Sequence, residues 1–532
     1  MKKTLYNILM TAMVVWTAMS CTGDLDQMPH TDTQVTGAEA YASAASYKMV
    51  LAKTYASYVI VGQEQGGGNE DMSSNNGQDF LRCYFNLQED PTDEVASTWL
   101  SGDKVEGLTY MTWDANDPWV ADAYYRLYYT IALSNEFLRH TDEGSISGFG
   151  EQDQKEILTY KAEARFLRAL AYYYVLDLFG QGPYVDETMP VGAYTPERYS
   201  NKQLFDFIES ELKDVATNGL AAPSAIEYGR ASNAAAWGLL AKLYLNAEVY
   251  GAGNHYTECI TACQKVMEGG FSLESDYAKL FNADNHKRTN EIIFPFVVDG
   301  ENTVTWGATT LIVCGQCGNS STQDPTKYGL TNGWGMFRVR GELPNLFDNV
   351  ENPADSRCMF YTDSQTQWFT KGIDDQTQGY FSEKFTNLTD EGEAACNSGA
   401  VGVSTDFPVL RLADVYLMLA EAVLRGGQGA TKADALGLVN QLRERAYGNA
   451  NGNINDAQLN LDFILDERAR ELYLECSRRT DLVRYGKFTG SSYIWQWKGG
   501  ILDGKATDAK YNIYPIPTAE LSANPNLSND NY

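Results

Sequence analysis

The sequence predicts a mainly α fold, a scaffold of helical hairpins on which an irregular, loop-rich lobe containing short β-strands is mounted. Three observations carry that expectation. Apolar residues recur three and four apart through most of the first half and the last quarter of the chain. Two distant stretches share one hairpin pattern. Between them, residues 271–405 break the periodicity with Gly, Asn, Thr, Trp and Phe. At 532 residues, 44% of them hydrophobic, the chain is long enough to bury a large core. Its 70 acidic residues against 41 basic ones leave a formal charge of −29, which repels nucleic acid and anionic lipid headgroups, and no local basic patch offsets it.

The first residues, MKKTLYNILMTAMVVWTAMSC, read as an export signal over 1–20: two lysines, an apolar stretch too short to span a membrane comfortably, and the small residues Ala18 and Ser20 before Cys21. Cys21 at that junction matches a bacterial lipoprotein signal, whose new N-terminal Cys is acylated and anchors the chain to a membrane; an ordinary secreted protein with a chance Cys is the alternative. Residues 21–35 form a polar tether.

Helices are predicted over 38–60, 118–140, 155–179, 201–215, 232–250 and 256–268, within an N-terminal helical region spanning 36–270, and over 409–424, 432–446 and 459–476 in a C-terminal region, 406–532. The two similar stretches are AAAWGLLAKLYLNAEVYGAGNHYTECITACQKVMEGG and VLRLADVYLMLAEAVLRGGQGATKADALGLVNQLRERA. Each has the length of a tetratricopeptide-like hairpin, and Ala alternating with Leu and Tyr lets helices approach closely. In the lobe, 291–298 and 309–313 read as short strands, and residues 62–116 look similarly irregular. Loops on a rigid scaffold are where recognition concentrates.

Of the nine cysteines, Cys259 and Cys263 sit four apart on a helix, and Cys314 and Cys317 form a C-x-x-C. Neither pair has companions at zinc spacing, so buried thiols are expected. The Asp/Asn-rich run 274–291 offers oxygen ligands for a structural Ca²⁺ but lacks the spacing and Gly of an EF-hand loop; a solvated loop explains it equally. No other cofactor is indicated.

Five ordered motifs, KAEARFLRALAYYYVLDLFGQGPYV (161–185), GRASNAAAWGLLAKLYLNA (229–247), LRLADVYLMLAEA (410–422), ILDERARELYLECSRRTDLVRYGKF (464–488) and YPIPTAELSANPNL (514–527), resemble the SusD/RagB family. The resemblance implies a surface lipoprotein of the outer membrane of Bacteroidetes with tetratricopeptide-like helices. It also implies a C-terminal tail packed on the helical body, and a partner, a SusC-like TonB-dependent transporter, for which the protein captures nutrient, usually a glycan. The charges within these motifs, Glu163, Arg165, Arg168, Glu467, Arg470, Glu471, Arg478 and Asp481, have the helical spacing of scaffold ion pairs rather than of catalytic groups.

A neutral oligosaccharide presents apolar C–H faces and hydroxyl rims, so its site needs flat aromatic rings edged by polar groups. Residues 66–104 supply Asp71, Asn75, Asn76, Asp79, Arg82 and Trp99, while Trp306 and Trp334 lie in the irregular lobe. By context, the resemblance implies ligand contact at Asp71, Arg82, Trp99, Trp306 and Trp334, with Tyr380 a further candidate. The alternative for each Trp is lobe core, and for Arg82 an ion-paired helix residue. Trp113, Trp119 and Trp237 fit the core. The expectation is a non-catalytic oligo- or polysaccharide binder. Its rivals are a surface lipoprotein glycoside hydrolase, a binder of a non-glycan nutrient such as peptides, and a protein-interaction scaffold.

Overall fold

The computed structural model describes residues 37–62, 70–72, 78–192, 194–397, 401–530 and 532. Cys21 and the 21–35 tether, together with Asn75 and Asn76, lie outside the described residues.

Local chemistry sets the helix ends. In the N-terminal half the main helices are α1 (Ala44–Ala56), α2 (Phe80–Gln88), α3 (Pro118–Arg139), α4 (Glu151–Phe179), α5 (Asn201–Asn218), α6 (Asn233–Leu245) and α7 (Tyr256–Met267). Asp117 caps α3 by accepting from the amides of Trp119 and Val120, with Pro118 in the first turn where its missing N–H costs nothing. Ser200 and Gln203 form a reciprocal capping box at the start of α5. After the irregular lobe come α9 (Leu412–Leu424), α10 (Lys432–Tyr447), α11 (Leu461–Leu472) and α12 (Arg478–Arg484).

From α3 onward each scaffold helix packs on the next: α3 on α4, α4 on α5, α5 on α6, α6 on α7, then α7 directly on α9 and α9 on α10. The two hairpins that look alike in sequence are therefore spatial neighbours, and residues 271–405 leave the stack and return to it. The antiparallel strands β2 (Ile292–Phe296) and β4 (Phe407–Arg411) mark that departure and return, with Ile292 opposite Arg411 and Phe296 opposite Phe407. The remaining strands are short. β1 (Val95–Ser97) pairs with β3 (Phe337–Val339), joining the first segment to the lobe.

Two sequence expectations need correction. The run at 309–313 is helical, within α8 (Ala308–Gln316). Its β-branched Thr309, Thr310, Ile312 and Val313 favour a strand, but the whole element is buried against α2 and tertiary packing overrides that weak preference. Residues 62–116 are likewise not uniformly irregular, since they contain α2, every residue of which is buried.

The motif charges fasten the parts together. Glu471 of α11 accepts from Arg411 of β4 at 2.6 Å, Arg445 of α10 at 2.5 Å and Arg357 of the lobe at 3.0 Å. Glu467 meets Arg357, Arg443 and Arg470, each at 2.8 Å. Arg478 holds Asp93 at 2.6 Å, while Asp481 bridges Arg468 and Arg484. Near the other end of the stack Glu163 pairs with Arg230, and both Arg165 and Arg168 engage Glu211.

The tail folds back on the body. The Tyr514 hydroxyl donates to Leu87 O at 2.7 Å, Thr518 N to Ala115 O at 2.9 Å, and Gln181 Nε2 to Ser528 O at 2.6 Å. Tyr532 accepts from Trp113 Nε1 at 2.7 Å.

Within 274–291 the acidic oxygens are already committed. Asp276 caps the turn at Ala278, Asp284 pairs with Lys287 at 3.0 Å, and Glu291 pairs with Arg411 and Arg445. Among the described residues no group of three or more His, Cys, Asp or Glu is gathered to hold a metal ion. The eight described cysteines are free thiols, seven of them buried.

Candidate functional site

Three segments converge to place Trp99, Trp334 and Trp306 side by side. The ring centroids of Trp99 and Trp334 are 6.5 Å apart with planes 24° from parallel, and those of Trp334 and Trp306 are 6.0 Å apart at 37°. Trp99 and Trp306 are 40% and 46% exposed, and Trp334 between them is half-buried. The three adjacent rings form an apolar strip with exposed ends and a half-buried centre.

Each ring is held by its backbone. Trp99 follows β1, and its carbonyl accepts from Asp103 N at 2.8 Å, closing the 99–103 turn. Trp334 hangs on the C-terminal end of α8: its amide donates to Cys314 O at 2.8 Å and that of Gly335 to Cys317 O at 2.7 Å. Gly333 is needed there because a Cβ would collide with the carbonyls of Cys317 and Gly318. The C-x-x-C thus contributes carbonyls to the site. Its thiols are buried, and burial pushes that of Cys317 up to about 12.

Trp306 is fixed from below by the start of α2. Asp79 caps α2 through Arg82 N at 3.0 Å and also accepts from Thr305 Oγ1 and Ala308 N, each at 3.1 Å. One carboxylate therefore ties the first turn of α2 to the residues flanking Trp306. Gly307 leaves room for it, since a Cβ there would strike Asp79 Oδ2. Burial raises the Asp79 carboxyl, partly offset by the hydrogen bonds it accepts from Arg82 N and Ala308 N. Arg82 completes the support, donating to Trp306 O at 2.6 Å and to Asp103 Oδ1 at 2.7 Å.

Not every predicted site residue reaches the rings. Arg82, expected on the ligand, has a side chain only 5% exposed and lies beneath the strip, with its guanidinium 5.3 Å from the Trp119 ring centroid. It is engaged by the Trp306 carbonyl and the Asp103 carboxylate. The Asp71 carboxylate is nearly buried and paired with Lys53 of α1 at 2.5 Å. Tyr380 is half-buried and bridges to Val339 of β3 through its carbonyl. Trp113 and Trp119 are buried and Trp237 packs on the main core. The supporting roles of Asp103 and Thr305 were missed. The signal for a buried Asp79 was present in Asp79-Phe80-Leu81-Arg82, an N-cap followed by an apolar run.

Comparisons with known proteins agree with this architecture. The SusD family model matches residues 360–532, and a second, described as starch-binding associating with outer membrane, matches 30–245. The chain is similar to the starch-binding protein SusD of Bacteroides thetaiotaomicron, 33% identical over 581 aligned residues that take in 100% of this chain and 99% of that protein. It is 25% identical to SusD-like protein P25 of Formosa agariphila over 77% of this chain and 78% of that one. Among solved structures, the surface glycan-binding protein A of Bacteroides thetaiotaomicron in complex with laminarihexaose shares the fold, with TM-score 0.69 and 17% identity over 92% of this chain and 99% of that one.

Proposed function

Because the chain belongs to the SusD family, we propose that it is a non-catalytic, surface-exposed lipoprotein that binds a glycan and delivers it to a SusC-like TonB-dependent outer-membrane transporter. Trp99, Trp334 and Trp306 form the ligand platform, with Arg82, Asp103 and Asp79 as its supports. The observation that carries this reading is the exposed strip of three Trp rings. Each ring removes sugar C–H surface from water, and three neighbouring rings can stack against successive sugars of one chain. The SusD relative is named for starch, so starch-like α-glucan is the favoured ligand. Binding rather than hydrolysis is favoured because the two carboxylates under the strip are already engaged, Asp103 by Arg82 and Asp79 by backbone amides, whereas glycoside hydrolysis needs a free pair flanking the bond.

The test is affinity-gel retardation against a panel of polysaccharides, with an assay for reducing-sugar release. Retardation by amylopectin without release is expected; release would overturn the binding-only reading, and no retardation by any polysaccharide would favour a peptide or other ligand. Lipidation is expected at Cys21, with palmitate label lost in Cys21→Ala. Co-purification of a TonB-dependent transporter from solubilised outer membranes tests the partner.

A further inference from the structure

We propose a second sugar-binding ring, Trp368, placed so that one polysaccharide chain engages both it and the three-Trp strip; the proposal rests on the reading of that strip as a glycan platform. Among the described residues three Trp side chains are exposed, and two belong to the strip. The third is Trp368, 40% exposed. Its ring lies flat against Gly341, where a Cβ would run into three of its carbons. The ring is therefore seated on backbone while 40% of the residue remains exposed, which leaves surface on which a sugar can stack.

The ring is rigidly carried. Gln367 Nε2 donates to Gly341 O at 2.9 Å, so the segment is stapled to the same residue that supports the ring. Phe369 exchanges hydrogen bonds with the Gln496 side chain, accepting at 2.8 Å and donating at 2.9 Å. Phe369 is buried with Ala96 and Ile373 in a small separate core, against which Leu100 packs directly after Trp99. The Thr366 hydroxyl donates to Trp368 O at 3.0 Å, adding a second tie to the ring's backbone.

β3 links the two places. Trp334 precedes that strand and Gly341 follows it, seven residues apart. Extended chain covers at most about 3.6 Å per residue, so the two supports are no more than about 25 Å apart. A trisaccharide, one sugar to each ring of the strip, leaves Trp368 uncovered, whereas a polymer threading past the strip reaches it. Two modest contacts on one ligand then combine through effective concentration, raising avidity for the polymer alone.

The experiment compares maltotriose, by calorimetry, with amylopectin, by gel retardation, for wild type, Trp368→Ala, Trp368→Tyr and Trp334→Ala, with thermal melting of each. Trp368→Ala is expected to weaken amylopectin binding about tenfold or more while leaving maltotriose affinity unchanged, and Trp368→Tyr, which keeps a flat ring, to recover part of the loss. Amylopectin binding by Trp368→Ala equal to wild type overturns the proposal, as does an equal loss for both ligands. If melting shows Trp368→Ala to be partly unfolded, Trp368→Tyr against Trp368→Leu gives the same comparison. Failure of the underlying reading is distinct: wild type then binds neither ligand, or Trp334→Ala binds both normally.

Discussion

Trp334 touches both of the other rings, so at the scale of single residues it is the one whose loss should matter most. Trp334→Ala is expected to cost about 2–4 kcal/mol of glycan affinity, roughly thirty- to thousand-fold, and more than Trp99→Ala or Trp306→Ala. Calorimetry and thermal melting on the same variants check this; a fall in melting temperature with normal binding by the folded fraction would make the ring structural. Arg82→Ala should behave the other way round. It strips a cation from the largely buried Asp103, so stability drops by about 3–5 kcal/mol, as when one partner of a buried pair is removed. Affinity falls only as far as Trp306 loosens. The double variant with Asp103→Ala should recover part of the stability, and no recovery would count against the pairing. Residue type with family context marked the three Trp as candidates, with lobe core as the alternative, but sequence could not show that Trp334 sits between the other two rings. It did not separate Arg82 from the ligand, since its fate is decided by Asp103 and by the Trp306 carbonyl, 224 positions away.

At the scale of elements, the long scaffold helices were readable because periodicity and caps agree. Asp117-Pro118 and Ser200 with Gln203 mark starts that the structure keeps within a residue or two. α2 and α8 were hidden for opposite physical reasons, α2 by Gly- and Asn-rich flanks and α8 by its own β-branched composition. Both are short helices stabilised by burial, and both position the site. Between elements the ion pairs are the fasteners, and α11 is where they concentrate. Burial would raise the Glu467 carboxyl, but Arg357, Arg470 and Arg443 hold it down at about 2, against an ordinary 4.5. A carboxylate depressed in the folded state contributes stability that is complete above 4.5 and lost as pH falls through 2. Glu467→Gln should therefore destabilise by about 3–5 kcal/mol at neutral pH, and the gap from wild type should narrow between pH 4.5 and 2. Denaturant titrations across that range decide it, and a gap independent of pH would mean that the carboxylate charge is not what stabilises.

At the scale of the whole molecule the parts are joined by contacts between distant stretches of chain. The acidic turn before β1 is held by residues just after α11: Asp93 by Arg478, and Glu89 by the amide of Cys476 at 2.7 Å. The tail closes on Trp113. Tyr532→Phe removes the acceptor of the buried indole N–H and is expected to cost about 1 kcal/mol. That cost should read out as a lower melting temperature with glycan affinity unchanged. Loss of affinity without loss of stability would instead connect the tail to the site.

The bond between Trp113 and Tyr532, 419 positions apart, also bears on when the molecule is finished. A polypeptide emerges from the ribosome N-terminus first. The acidic turn and Trp113 are both synthesised long before the residues that hold them, so the half-made chain carries its Asp93 without Arg478 and its Trp113 without a cover. Contacts so remote form late and slowly. A nascent chain stalled before Arg478 should accordingly remain open to protease at the acidic turn until Arg478 is added and Asp93 gains its partner.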